Sequence, residues 1–262
     1  MFVHPEFDPI ALSIGPLDIR WYGLMYLFTF LAGGLLAAYR ARQPGSGWKV
    51  EEISDLVFYC ALGAILGGRL GYALFYNFAY YLEHPIQVFY VWTGGMSFHG
   101  GLIGVLIAML VYARKTGRVF LQVGDFVAPF CGVGIAAIRF SNFINQELWG
   151  RITDLPIGMV FPLAGPEPRH ASQLYEMLLE GIVLFIILWV YTSKPRALGK
   201  SSGLFLMLYG VARFGVEFVR EPDAHLGPIA FGWLTMGQLL TIPMIIMGGL
   251  IFAGVFSKPS KQ

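Results

Sequence analysis

The sequence predicts an all-α polytopic membrane protein, with seven transmembrane helices and a small extracytoplasmic cap in one integral membrane domain over residues 1–262. Three observations predict it. Of the 262 residues, 56% are hydrophobic and only 13% are charged, roughly half the charged share of a soluble domain. Apolar runs approach the length of about 20 residues that a helix needs to cross hydrocarbon. Lys and Arg alternate between one set of connecting segments and the other.

The expected spans are Trp21–Tyr39, Leu56–Tyr76, His99–Tyr112, Val123–Phe143, Leu174–Tyr191, Leu204–Val219 and Leu234–Phe256. The third is short, and the preceding VFYVWTGGMSF either extends it or forms a re-entrant, interfacial piece. Arg40, Arg42 and Lys49 follow the first span, Arg114, Lys115 and Arg118 the third, and Lys194, Arg196 and Lys200 the fifth. Lys258 and Lys261 lie in the tail. The segment near Asn77–Pro85 carries no Lys or Arg, and that near Glu221–Trp233 has only Arg220 at its edge. Positive residues stay on the cytoplasmic side, so the expected N-terminus is outside and the C-terminus cytoplasmic. The segment of about 146–172, with Arg151 and Arg169, then falls outside. Its Pro and Gly content (DLPIG, PLAGPEP) suits a folded cap rather than a simple turn. The N-terminal MFVHPEFDPIALSIGP has no basic stretch followed by an apolar core. No cleavable signal peptide is expected, and the first span would itself direct insertion.

Several function classes are excluded by what the chain lacks. A net charge of +2 without a basic, aromatic-interleaved patch gives no reason to expect nucleic acid. Cys60 and Cys131 sit in apolar runs without C-x-x-C spacing, as small buried hydrophobes do, and neither a disulfide framework nor a zinc site is expected. No Walker-type loop, G-x-S-x-G elbow or H-E-x-x-H occurs, and no carboxylate cluster suits Mg²⁺. No metal and no cofactor are expected. No internal repeat is visible, which weighs against many transporter folds.

Charged residues within spans carry the functional signal, because each costs at least ~2.5 kcal/mol at the centre of a spanning helix. Tyr209, Arg213, Glu217 and Arg220 are spaced by four, four and three, on one helical stripe. Arg213 and Glu217 can pair across one turn. Arg139, Asn142 and Gln146 share a face of the fourth span, with Glu147 on its flank. Arg69, Tyr72 and Tyr76 repeat the spacing in the second, where Gly63, Gly67 and Gly71 permit close helix approach. Tyr22 opens the first span, and His99 precedes a Gly-Gly pair at the head of the third. A single Arg–Glu pair could be structural glue. Three arginines on three helices with fewer acids at membrane depth instead suggest a visiting anion. The guanidinium fork suits phosphate, and a phosphate that reaches into a bilayer belongs to a lipid. His99 is either a general base or a histidine hydrogen-bonded at an interface. His4, His84 and His225 read as loop residues. His170, in RHASQLYE, is ambiguous.

GIAAIRFSNFINQELWG, from Gly134 to Gly150, resembles the signature of the prolipoprotein diacylglyceryl transferase family. RWYGLMY (20–26), GGRLGY (67–72), GGMSFHGGLIG (94–104), RHASQLYE (169–176) and YGVARFGVEFVREPD (209–223) resemble further blocks, in family order. The resemblance covers nearly the whole chain. It implies transfer of the diacylglyceryl group of phosphatidylglycerol to the lipobox cysteine thiol of a prolipoprotein signal peptide. A thioether forms and glycerol 1-phosphate leaves. This is the first step of lipoprotein maturation, at the periplasmic face of the bacterial inner membrane. The residue roles follow as expectations. Arg139 binds the lipid phosphate with Asn142 and Asn145. Arg213, held by Glu217 near Tyr209, stabilises charge on the leaving group or the thiolate. His99 is the base or orients lipid, and Tyr22 bonds a head-group oxygen. Glu147 and Gly150, grouped with the substrate-binding residues, fix the loop that follows the arginine helix, and Arg69 and Arg220 give supporting phosphate or structural contacts. The competing reading is a carrier or flippase for anionic lipids.

Overall fold

A computed structural model describes residues 2–15, 17–222 and 227–256. Lys258 and Lys261 of the expected cytoplasmic tail, and His225, lie outside the described residues. The chain forms two compact units, one of Met1–Gly33 with Asp125–Gln262, the other of Gly34–Gly124.

The helices in chain order are α1 (Trp21–Ala41), α2 (Val50–Phe75), α3 (Phe78–Glu83), α4 (Phe98–Lys115), α5 (Phe120–Ile144), α6 (Ser172–Glu176), α7 (Leu184–Tyr191), α8 (Lys200–Val216) and α9 (Met236–Ala253). A π-helical segment, Met177–Val183, joins α6 to α7 into one continuous helix. Among the described residues six helices are long and apolar enough to cross a membrane: α1, α2, α4, α5, Ser172–Tyr191 and α9. The chain is therefore an all-α polytopic membrane protein in its main lines. The helix that separates this number from the expected seven is α8, only 17 residues long, which ends among its own charged residues.

In the unit of residues 34–124, α2 and α4 pack along a line of glycines. A Cβ on Gly71 would lie 2.7 Å from Gly100 Cα, and a Cβ on Gly104 would collide with the Gly63 carbonyl oxygen. The G-x-x-x-G steps thus bring two backbones into contact, which dispersion favours where lipid offers no hydrophobic drive. The stretch VFYVWTGGMSF does not extend α4 beyond Phe98. Two short 3-10 turns, Pro85–Phe89 and Val91–Thr93, lead to Ser97, whose hydroxyl accepts the Gly100 N–H (3.2 Å) and caps α4.

The other unit adds short strands that the all-helical expectation omits. Ile10–Ile14 (β2) pairs antiparallel with Leu17–Arg20 (β3). Phe2–Val3 (β1) pairs parallel with Met159–Val160 (β4), which pairs with Pro168–Arg169 (β5). Pro228–Ala230 (β6) pairs with Leu234–Thr235 (β7). The segment of 146–172 is a folded piece. Phe143, Phe161 and Ala171 form its core, with Trp149, Met159, Ala164 and Leu174 against them. His4, 1% exposed, joins this core: its Nε2 bonds the Phe143 carbonyl (2.9 Å), and its Nδ1 accepts the Glu6 N–H (3.1 Å). Burial of the His4 ring lowers its pKa, in keeping with a neutral Nε2–H tautomer between those two partners.

Candidate functional site

The unit of Met1–Gly33 and Asp125–Gln262 gathers the ionic residues of α5, the Ser172–Tyr191 helix and α8. Glu176 sits at the centre, fully buried. Arg213 Nη1 donates to its Oε1 at 2.5 Å, and Arg220 Nη1 donates to the same oxygen at 3.1 Å. Arg139 Nε lies 2.9 Å from Oε2. Glu180, also fully buried, lies 3.7 Å from Arg139 Nη2 and 3.8 Å from Arg213 Nη1. Arg213 Nη2 meets Glu217 Oε2 at 2.8 Å, the pairing that the spacing of four implied. The Thr235 hydroxyl donates to Glu217 Oε1 (2.9 Å). Thr235 also caps α9, where its hydroxyl accepts the Gln238 N–H.

The expectation of too few acids at membrane depth is corrected here. Arg139, Arg213 and Arg220 stand against Glu176, Glu180 and Glu217, three charges of each sign. Glu176 and Glu180 are functional candidates that the motifs and the arginine spacing do not single out. The signal was present in QLYEMLLEG, two glutamates four apart in an apolar run, on one helix face. Local structure sharpens that placement. The π segment contains Glu180 and Gly181, and a Cβ on Gly181 would lie 2.7 Å from the Ala136 Cβ of α5. Glycine at that point lets the glutamate-bearing helix lie directly on the arginine-bearing one.

Around the end of α5, Asn142 is buried. Its Nδ2 donates to the Tyr22 hydroxyl (2.8 Å) and to Glu147 Oε2 (3.2 Å), while its Oδ1 accepts from Arg139 Nη1 (3.4 Å). Asn145 donates to Glu147 Oε1 (3.4 Å), and its buried Oδ1 has no hydrogen-bond partner among the described residues. The helix stops because Gln146 adopts a left-handed φ of 52°. The Gln173 amide then donates to the Glu147 carbonyl (2.5 Å), and the Ser172 hydroxyl to that of Leu148 (2.8 Å). Gly150 donates its N–H to the His170 carbonyl (2.8 Å) and bridges to Arg220; a Cβ there would lie 2.5 Å from the Val219 carbonyl oxygen. Tyr209 stacks on Phe205, one turn before Arg213 on α8.

Two expected site residues belong to the other unit. Arg69, 3% exposed, has its guanidinium engaged by one loop. It donates to the carbonyls of Val88 (2.8 Å), Gln87 (2.7 Å), Gly95 (3.2 Å) and Gly94, and to the Thr93 hydroxyl (3.2 Å). Those contacts organise the stretch between α3 and α4. His99 is exposed at the start of α4, edge-on to Phe98. Among the described residues no group of His, Cys, Asp and Glu side chains could hold a metal ion.

An amide-supported arginine on α5 and a second on α8 thus meet one buried carboxylate between them. A family model described as prolipoprotein diacylglyceryl transferase matches residues 9–253. The chain belongs to this family. Curated relatives carry the name phosphatidylglycerol–prolipoprotein diacylglyceryl transferase. One from Oleidesulfovibrio alaskensis is 58% identical over 262 residues, covering 100% of this chain and 98% of the relative. One from Vibrio vulnificus is 59% identical over 258 residues, 98% and 95% of the two chains. One from Legionella pneumophila is 55% identical over 248 residues, 95% and 97%. The relatives' name includes phosphatidylglycerol, an anionic lipid.

Proposed function

We propose that this chain transfers the diacylglyceryl group of phosphatidylglycerol to the cysteine thiol of prolipoproteins, the first step of lipoprotein maturation. The observation that carries the reading is the convergence of Arg139, Arg213 and Arg220 on one buried carboxylate. The reaction breaks the bond between the glyceryl carbon and its phosphate oxygen and forms a thioether. The phosphodiester becomes the monoester glycerol 1-phosphate, so negative charge grows on the leaving group. Guanidiniums fixed beforehand stabilise that charge most where water is scarce.

In this reading Arg139, oriented by Asn142, binds the lipid phosphate, and Tyr22 and Asn145 reach head-group oxygens. The free Asn145 Oδ1 suits a glycerol hydroxyl donor. Arg213, held by Glu217 beside Tyr209, faces the leaving oxygen or the incoming thiolate. Arg220 supports Glu176, and Glu147 and Gly150 hold the loop after α5. Arg69 holds the α3–α4 loop through its carbonyls. The thiol, with an ordinary pKa near 8.5, needs a base or a positive field, and His99 is the base. A His99→Gln enzyme that folds and keeps parental turnover removes it from that role.

The topology completes the proposal. α8 is a seventh crossing in one integral domain, with the N-terminus outside and the C-terminus cytoplasmic. The folded segment of 146–172 is a cap on the periplasmic face of the inner membrane. Lipid enters between helices, and the lipobox arrives on its own signal helix. The test is release of glycerol phosphate from phosphatidylglycerol in liposomes, with and without a cysteine lipobox peptide. Peptide-dependent release that falls by about 10²–10³ in Arg139→Ala supports the reading. A folded parent that turns nothing over beside an active control enzyme overturns it.

A further inference from the structure

We infer that Glu180 is the charge-adjusting residue of the anion site: it is ionised when the site is empty and takes up one proton from the aqueous phase when a phosphodiester anion enters. The inference rests on the reading of the arginine cluster as the lipid phosphate site.

Three arginines face three carboxylates, so the empty cluster is neutral with every group ionised. A phosphodiester adds one negative charge to a buried site. An uncompensated charge in that setting is strongly unfavourable, and a proton on one carboxylate restores neutrality. Geometry then selects the carboxylate. Glu176 accepts two arginine hydrogen bonds and has a third arginine at 2.9 Å. Glu217 accepts the Thr235 hydroxyl and meets Arg213 at 2.8 Å. Protonating either would weaken charge-assisted contacts already formed. Glu180 is fully buried, and neither of its oxygens has a hydrogen-bond partner among the described residues. Its contacts with Arg139 and Arg213 are the two longest in the cluster. A proton there breaks no hydrogen bond and leaves Arg139 Nη2 free to turn to the phosphate.

The groups facing Glu180 come from each packed element. Arg139 faces it from α5, Arg213 and Tyr209 from α8, Arg220 from the segment after α8, and Glu176 from its own helix. The arginines stay charged at any working pH. Of the two carboxylates in this set, only Glu180 lacks a hydrogen bond.

The test uses the full chain in detergent with a short-chain phosphatidylglycerol. Calorimetric titrations at one pH in two buffers of different ionisation enthalpy count the protons taken up. The expected result is net uptake by the parent, with affinity that falls by up to about tenfold per pH unit as pH rises. Glu180→Gln, a mimic of the protonated acid, binds with neither uptake nor pH dependence. Infrared difference spectra of the parent then gain a protonated-carboxyl carbonyl band on lipid binding. Glu180→Asp shifts that band, which assigns it even if the glutamine variant does not fold. Lipid binding without uptake or band overturns the inference and leaves the lipid site standing. Equal uptake by Glu180→Gln also overturns it. Failure of the parent to bind phosphatidylglycerol, in the same titration, removes the underlying site as well.

Discussion

Arg139, Arg213 and Arg220 depend on one side chain, Glu176, for their mutual approach. Three guanidiniums that share a buried neighbourhood repel one another unless a carboxylate lies between them, and removing one partner of a buried ion pair costs about 3–5 kcal/mol. Glu176→Gln is therefore expected to lower the unfolding midpoint in detergent, more than the i,i+4 partner change Glu217→Gln does. Equal midpoints for the parent and the Glu176 variant would remove Glu176 as the hub. At this scale the arginines were legible in the sequence because a cation in an apolar run stands out by itself. The glutamates were less so. Glu176 lies in a polar-looking helix start, and Glu180 gains meaning only from the two arginines that other helices deliver to it.

At the scale of elements, the glycines and the first strand make separate predictions. Gly104 in α4 faces the Gly63 carbonyl with no room for a side chain. Gly104→Val is expected to separate α2 from α4 and to lower the yield of folded protein, whereas Gly33→Val, where a Cβ meets nothing within 4 Å, is expected to be tolerated. Similar yields for both would show that the close approach is dispensable. The β1 strand is anchored by His4, whose pKa is lowered by burial, and that of His170 is lowered by the same cause. The folded state therefore binds fewer protons than the unfolded state near and below the ordinary histidine value of about 6.5. Stability from these rings is fully present above about pH 6.5 and is lost as pH falls through their lowered folded values. Hydrogen-exchange protection factors of the 146–172 segment, taken relative to the intrinsic rate at each pH, should fall on acidification in the parent and much less in His4→Gln/His170→Gln. Matching acid sensitivity would assign the effect to other groups. Helix existence could be read from the apolar runs. The π segment at Met177–Val183 could not, because no apolar period in the sequence marks its wider turn; Gly181 within it packs on Ala136.

For the whole molecule, the alternation of Arg and Lys between connecting segments predicts the side of each loop. A cysteine placed at Gly45, in the segment after α1, should be shielded from a membrane-impermeant thiol reagent added to spheroplasts. One placed at Glu167 should react, in a background where Cys60 and Cys131 are serine. The opposite pattern would invert the proposed topology. A cysteine at Glu221 extends the experiment to α8, Lys200–Val216: it should react as the Glu167 position does, whereas a chain that crosses without α8 would put Lys200 and Glu221 on the same side and shield it.

The sequence by itself determined that this chain lies in a membrane, where its helices fall and which arginines are out of place there, because these follow from local composition and from the cost of charge in hydrocarbon. It also carried the family resemblance, in ordered motifs that need no coordinates to read. Only the tertiary structure decided the charge balance of the site. Whether Arg139 and Arg213 form an excess of positive charge depends on Glu176 and Glu180, which lie 37 and 41 residues beyond Arg139 in the sequence (176 − 139 and 180 − 139). They meet it only because Gly181 lets two helices touch. The same holds for Arg69, a cation like the others in sequence, whose bonds are spent on the carbonyls of a loop that no periodicity could have folded around it.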